Sequence, residues 1–432
     1  MTINEALAQA REINLPDIPE APKPKVPMAG AACWNSVAGN FVSDLYGKTE
    51  ASPMSLLLTF LSVLGSGVTE PYAMHEATRH PLTIWSAIIG LSSKSRKGQS
   101  LDLTQECFKQ SLEGQFSMPI PQSGVTSGEG LIHAIRDPLE DADGNLLLNR
   151  KGDPVDAGVT DKRLLLFIRE FSTLLHVMGR AGNTTSGLAR DAWDGKRLQN
   201  LNKNTPEKST NPHVTIVGHT TPEELRQLLK PLEMANGLGN RFLWVIADRQ
   251  GFIPSPPIYK PSEGLKSDLK AVIQYARKPD AVTRSPEAEE YWVSIYEELS
   301  EESSGYVGSM HARDEAYAMR LSCLFALMRR SYSVEVKDIQ AALDILAYNK
   351  ASLMYQFEST DYDPDILKII TAIDASENRE LTRTKIHKVL SSHKSGAHID
   401  SLKSKLLEMK AIAIRMETTS GRDVEIWSRL WL

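Results

Sequence analysis

WSAIIGLSSKSRKGQSLDLTQECF, residues 85–108, sets an apolar run against a loop of small and cationic residues and then a helical pattern. The run up to Gly90 predicts a buried strand, and the spacing from Gln99 onward predicts a helix. A strand ending at Gly90, a tight loop and a helix amino terminus would aim several backbone N–H groups and a helix dipole at one anion. Against the phosphate-binding pattern G-x-x-x-x-G-K-[ST] the loop is irregular. Lys94 comes four residues after Gly90, Ser95 stands for the second glycine, and cation, glycine and hydroxyl run Arg96, Lys97, Gly98, Gln99, Ser100. Taken alone, these residues read either as a phosphate cradle or as a solvated basic turn.

The surroundings of this loop bound the answer. A chain of 432 residues with 41% hydrophobic residues has material for two to four cored domains. Its formal net charge of −5 argues against a protein coated in basic patches, so any nucleic-acid contact must be local or assembled from several subunits. Cys33, Cys107 and Cys323 have neither zinc spacing nor the density of a disulfide framework, which points to a reducing compartment and buried thiols. No run of 18 apolar residues occurs, and the first thirty residues lack signal-peptide order, so a cytoplasmic protein without a membrane partner is expected.

The prolines of PDIPEAPKPKVPMAG make residues 1–30 an extended leader, and helical spacing over 31–75 predicts a small helical module with Ser52 as N-cap and Pro53 opening a helix. From 76 to 260 the runs LTIWSAIIG, KRLLLFI, PHVTIVGHTT and NRFLWVIADR read as strands buried on both faces of a mostly parallel sheet. This is an α/β core, interrupted by a hairpin-like insertion with a turn at DADGN. The proline-rich GFIPSPPIYKPSEG leads into a helical, lid-like domain over 261–360, where Ala316, Met319, Arg320, Cys323 and Leu327 share one helical stripe. Residues 361–432 read as three helices and two strands, a winged helix. From Leu381 onward ten Lys or Arg face five Asp or Glu, consistent with a phosphate-binding face or with a protein-docking module whose charges are merely solvated.

GLSSKSRKGQS, together with YGKTEASPMSLLLTFLSVLGS, TSGEGLIHAIRDP, DKRLLLFIREFSTLL, LARDAWDGKRL, VTIVGHTTPEELRQLL, NGLGNRFLWV and HARDEAYAMRLSCLFALMRR, resembles the YfjI-like family of RecA-fold ATPases of prophages and plasmids over roughly residues 35–360. The resemblance implies a RecA-like P-loop core binding ATP and Mg²⁺. Gly90, Ser92, Ser93, Lys94, Ser95, Arg96, Lys97, Gly98 and Gln99 would then cradle phosphate, with Lys97 or Arg96 on the β and γ phosphates, and Ser100 would hold Mg²⁺. Glu170 becomes the candidate base, although the family pattern also carries an acid where this chain has Ile168, which favours slow hydrolysis. Glu170 also reads as a carboxylate complementing a helix dipole.

His219 ends a strand where RecA-like folds sense the γ-phosphate, and it equally suits local hydrogen bonding. Arg241 is the candidate arginine finger acting on a neighbouring subunit, or a sheet-edge ion-pair partner. Arg320, with Arg313 as second choice, would reach the nucleotide from the lid. The expectation is an ATP-dependent, ring-forming, helicase-like DNA motor of a mobile-element replication or defence system, with a partner protein an open possibility. The alternative is a nucleotide-responsive DNA-binding or scaffold protein that hydrolyses ATP weakly.

Overall fold

All four apolar runs become strands of one parallel sheet. In the computed structural model these are β3 (Ser86–Gly90), β4 (Arg163–Ile168), β7 (His213–Thr220) and β8 (Leu243–Ala247), in the spatial order β4-β7-β3-β8. The described residues are 27–75, 77–90, 93–114, 116–141, 143–178, 184–200, 207–228, 237–301, 305–357, 364–374, 376, 378–390, 394–408, 411–418 and 423–429. All but the last four residues of the expected leader lie outside them, as does Ser92.

Every residue of β3, β7 and β8 is buried, as near-continuous apolar composition requires of strands covered on both faces. The register sets Ile88 beside His219 and Val245, and Ile168 beside Gly218, so the carboxyl ends of all four strands open on one edge. Gln122 adds a parallel bridge to Leu166 on the outer side of β4. At the other end of the sheet order, β8 is closed by side chains: Asn349 accepts from the Trp244 N–H at 2.7 Å, Ser352 from the Ile246 N–H at 3.3 Å, and the Tyr348 hydroxyl donates to the Ile246 carbonyl at 3.0 Å. A sheet edge left open would template foreign strands, and here one helix covers it.

Helix α1 (Val37–Asp44) is followed by α2 (Pro53–Gly67), which has thirteen buried residues and packs against all four sheet strands. The expected helical module is thus one side of the core. Pro53 does open α2, but Ser52 makes no side-chain cap bond. Beyond the central sheet, two short pairs that sequence reading did not anticipate, β1 (Tyr72–His75) with β2 (Thr78–Pro81) and β9 (Ala281–Arg284) with β10 (Ser333–Val334), join into a second four-stranded sheet of order β10-β9-β1-β2. A further two-stranded ribbon joins β5 (Leu198–Gln199) to β6 (Lys208–Ser209).

The chain divides into two compact units, Val26–Gln356 and, among the described residues, one from Phe357 onward. No compact-unit boundary falls near 75 or 260: sheet, α2 and the later helices share the first unit. The first also holds α3 (Lys97–Leu112), α4 (Gly128–Ala134), α5 (Phe171–Met178), α6 (Thr185–Trp193), α7 (Pro222–Leu228), α8 (Glu263–Tyr275), α9 (Pro286–Ser300), α10 (Gly305–His311), α11 (Asp314–Met328) and all but the last residue of α12 (Val336–Phe357); the second contains α13 (Pro364–Asp374), β11 (Glu380–Thr382), α14 (Arg383–Val389), α15 (Gly396–Glu408), β12 (Ile412–Glu417) and β13 (Val424–Arg429). Its antiparallel sheet has the order β11-β13-β12, and it has its own core in which Ile366, Ile373, Ile386, Leu406 and Trp427 are buried together.

Candidate functional site

At the carboxyl edge of the parallel sheet, β3 ends at Gly90 and the chain passes through a 3-10 turn, Ser93–Ser95, into helix α3 (Lys97–Leu112). The helix therefore starts at Lys97, two residues earlier than expected. A side chain at Gly90 would land on the Ser95 hydroxyl and 2.8 Å from Lys97 Cδ, so the glycine is what lets Ser95 and the Lys97 stem fold back over the strand end. Between them Arg96 adopts the left-handed conformation, φ 58 and ψ 20, which costs a non-glycine residue about 1 kcal/mol.

Glu50 supplies the restraint. Its carboxylate accepts from Arg96 Nε at 2.7 Å, from Arg249 Nη2 at 2.7 Å and from the Ile253 N–H at 2.7 Å. Those bonds, Arg249's first and then those of Ile253 and Arg96, hold the Glu50 carboxyl down at about 2. Arg96 is thereby committed to a structural clamp, and of the two cations left open by the sequence it is Lys97, half-buried at the head of a long helix, that is placed over the strand end. Burial lowers the Lys97 pKa, and the nearby Glu224 carboxylate opposes the shift.

Across the edge, β7 delivers His219, Thr220 and Thr221. His219 is buried with its ring edge-on to Phe167 (centroids 4.8 Å, interplanar 85°), and its Nε2 has no hydrogen-bond partner among the described residues. Burial, reinforced by Lys97 and Arg169, pushes its pKa down to about 3, so the imidazole is neutral at pH 7 and leaves one nitrogen available. Thr221 and Glu224 form a reciprocal capping box at the start of α7 (Pro222–Leu228): the Glu224 N–H donates to Thr221 Oγ1 at 3.3 Å, and Glu224 Oε2 accepts from the Thr221 N–H at 3.1 Å. Glu170 is exposed just past β4, where its carbonyl accepts from the Thr173 N–H at 2.9 Å as α5 (Phe171–Met178) begins. Ile168 is a buried strand residue. Lys97, His219, Thr221, Glu224 and Glu170 thus collect at one strand edge.

Other expected participants lie elsewhere. Ser100 is fully buried, its hydroxyl donating to the Lys97 carbonyl at 2.8 Å and accepting from Thr59 of α2 at 3.3 Å. In this structure that hydroxyl serves helix packing. Gln99 accepts from Thr49 at 3.3 Å, and Gly98 is open to solvent with nothing near its Cα that would exclude a side chain.

Arg320 sits on α11 (Asp314–Met328), a helix buried on nearly all sides from Tyr317 onward. Its guanidinium donates to the Thr83 carbonyl at 3.2 Å and the Trp193 carbonyl at 2.9 Å and stacks 3.7 Å over Trp193. Thr83 precedes the first residue of β3, roughly 3.3 Å per residue away from Gly90, so Arg320 lies at the opposite end of the strands from the loop. The lid-side role is corrected: Arg320 ties the amino end of the sheet to the end of α6 (Thr185–Trp193).

Arg241 also lies at that amino end, since its neighbour Leu243 pairs with Ser86. It is almost fully buried, donates to the Gly237 carbonyl at 2.6 Å and approaches Asp194 at 3.4 Å. Arg313, Arg241 and Arg320 all face the Trp193 ring. None can act on a phosphate held by its own Lys97; a catalytic role for Arg241 requires a second chain.

Sequence reasoning missed Glu50 and the electrostatic part of Glu224. The capping signature T-P-E-E was visible at Thr221, whereas nothing local in YGKTEAS announces a partner on the strand-to-loop exit 46 residues later. No protein-family model matches this chain, and no curated protein matches it significantly. Among the described residues no helix is long and apolar enough to cross a membrane, and no three His, Cys, Asp or Glu side chains are grouped to hold a metal.

Proposed function

We propose that the protein is an ATP-dependent, self-associating enzyme that acts on DNA, with ATP bound at the Gly90–Lys97 loop of a RecA-like core. The observation that carries this reading is Lys97 folded over Gly90 at the head of a sixteen-residue helix, at the carboxyl end of a strand flanked on both sides by later strands. Open α/β sheets bind ligands at such an edge, and a helix amino terminus with a lysine favours phosphate. The unpartnered, buried Nε2 of His219 suits a hydrogen bond to a terminal phosphate that reaches the strand edge.

The residues present fit a triphosphate better than a preformed cation site. Mg²⁺ would enter bound to the phosphates, with Glu170 and Glu224 as carboxylates at the same strand edge, and it would neutralise charge on the transferring group. Glu170, exposed beyond β4, would orient water. Arg241 would complete the site of an adjacent subunit in a ring.

The order α13, β11, α14, α15, β12, β13, with β13 central, supports a winged-helix reading of the second unit. Lys368, Arg383, Lys394, Lys403, Arg415 and Arg429 of this unit are already ion-paired. Lys385, Lys388 and Lys405 are exposed and have no ion pair among the described residues, so they would be the ones to meet phosphate.

Calorimetry with ATP and Mg²⁺, followed by steady-state turnover with and without duplex DNA, tests the proposal. Uptake and DNA-stimulated turnover are expected; no uptake would end it. Buried Ile168 in place of an acid favours a second reading, a nucleotide-responsive switch with weak hydrolysis, for which uptake without turnover is the signature.

A further inference from the structure

Gly90 of β3 pairs with Ala247 of β8, and the chain leaving these neighbouring strand ends converges on the Glu50 carboxylate, through Arg96 from one and Arg249 from the other. The exit from β8 wraps around Glu50. The Gln250 N–H donates to the Glu50 carbonyl at 3.0 Å, and the Ile253 N–H to its carboxylate at 2.7 Å. Between them Gly251 takes a positive φ of 68°, with open space where a side chain would stand. The backbone on both sides of Phe252 is therefore fixed.

Phe252 itself is 81% exposed. The Arg249 guanidinium, held by Glu50, lies 4.3 Å over its ring, a cation–π contact that steadies one face while the exposure leaves the other to solvent. Among the described residues between the carboxyl ends of the four parallel strands and the helices that follow them, Phe252 is the exposed aromatic ring; Tyr259, further along, is buried. A lone apolar side chain at a surface is ordinary. One backed by a clamped arginine, on a loop pinned at both ends and beside a phosphate-type loop, is a flat platform.

A nucleotide with its phosphates at Lys97 has two sides on which to lay its base. Toward β7 lie buried His219, edge-on to Phe167, and the Thr221–Glu224 capping box, which offer no flat exposed face. Toward β8 lies Phe252, joined to Arg96 through the Glu50 carboxylate and the Arg249 guanidinium alone. We propose that the base of the bound nucleotide stacks on the outer face of Phe252, so that the site takes nucleoside triphosphates by the face of the base and not by its edge. Stacking accepts any base, because each has a π-face. Choosing adenine over guanine takes fixed donors and acceptors along the base edge, and the neighbouring Gln250 amide is turned back onto the Asp248 carbonyl at 3.3 Å. The inference rests on phosphate binding at the Gly90–Lys97 loop and adds where the rest of the nucleotide goes.

Calorimetry on the full chain with two probes, ATP and tripolyphosphate, each with Mg²⁺, separates base binding from phosphate binding, since tripolyphosphate has no base. Phe252→Ala is expected to weaken ATP about tenfold and to leave tripolyphosphate unchanged, and Phe252→Trp to hold ATP at or above wild-type affinity. The side chain is exposed, so both variants keep the wild-type circular dichroism and melting temperature. In Phe252→Trp, ATP quenches the added indole and tripolyphosphate does not. Wild-type affinities for ATP and GTP are expected to differ by less than about tenfold; a larger preference would overturn recognition by the face. Phe252→Ala binding ATP as tightly as the wild type, or losing ATP and tripolyphosphate alike, would overturn the platform, while tripolyphosphate uptake by the wild type keeps the phosphate site in place. Uptake of neither probe by the wild type ends this inference together with the proposed function.

Discussion

Glu50 holds Arg96 in a left-handed backbone conformation through a 2.7 Å bond from Arg96 Nε, and through that residue it sets where helix α3 begins and where Lys97 points. The same carboxylate anchors Arg249 and the Ile253 N–H beyond β8, so both sides of the strand edge hang on one acid.

Replacing Glu50 with Gln is expected to lower the melting temperature at pH 7. The sign follows from linkage: the carboxyl falls from an ordinary 4.5 to about 2 on folding, so its contribution is complete above 4.5 and disappears as pH drops towards 2. Melting curves of wild type and Glu50→Gln should therefore differ at pH 7 and converge below pH 4.5. A gap independent of pH would show that the charge is not what holds the loop.

Lys97→Met should separate stability from binding. Folding lowers the lysine's pKa below its usual 10.5, so between the lowered value and 10.5 the unfolded chain holds more protons and wild-type stability rises with pH. At pH 7 the ammonium is charged and partly desolvated; methionine removes that cost and should raise the melting temperature by a few degrees at most. Affinity for ATP should drop about tenfold to a hundredfold, the worth of a charge-assisted hydrogen bond. Calorimetry showing unchanged affinity would remove Lys97 from the site.

For Arg320→Ala the reverse pattern is expected. Loss of the guanidinium leaves the Thr83 and Trp193 carbonyls unpaired and opens a void beside Trp193, costing about 2–5 kcal/mol. Denaturant titration should find that loss, while the fraction still folded binds nucleotide with wild-type affinity.

Arg241→Ala should leave ATP uptake intact and depress turnover, by on the order of 10³-fold for an arginine acting in trans. Mixing it with Lys97→Ala should recover part of the turnover, because each chain supplies what the other lacks. Absence of recovery would leave Arg241 as the partner of Asp194 and nothing more.

The central sheet was legible because strands buried on both faces are near-continuously apolar, as Ala87–Ile89, Leu164–Ile168 and Leu243–Ala247 are, although β7 also buries His213, Thr215, His219 and Thr220. The strands Tyr72–His75 and Ala281–Arg284, the inner pair of the second sheet, were not legible: their residues alternate weakly, and they pair across more than 200 positions of sequence. Within the candidate site, Gly90 and Lys97 were named because a strand, a loop of small and cationic residues and a helix start leave a local pattern. Arg320 was misplaced because a cation on an apolar helical stripe looks the same from sequence whether it meets a ligand or two backbone carbonyls. The packing of Ser100 against Thr59 was illegible for a related reason, since a hydroxyl in the first turn of a helix carries no mark of which face will be packed.

Helix α2 has its own consequence for biogenesis. Residues 53–67 are synthesised early, yet the last of the strands that cover them, Leu243–Ala247, follows about 180 residues later. At ribosomal speeds of 5–20 residues per second the nascent SPMSLLLTFLSVLGSG segment stays without its full cover for roughly 10–40 s. A cell making this protein has to shelter that segment from its neighbours on the polysome before the sheet arrives to claim it.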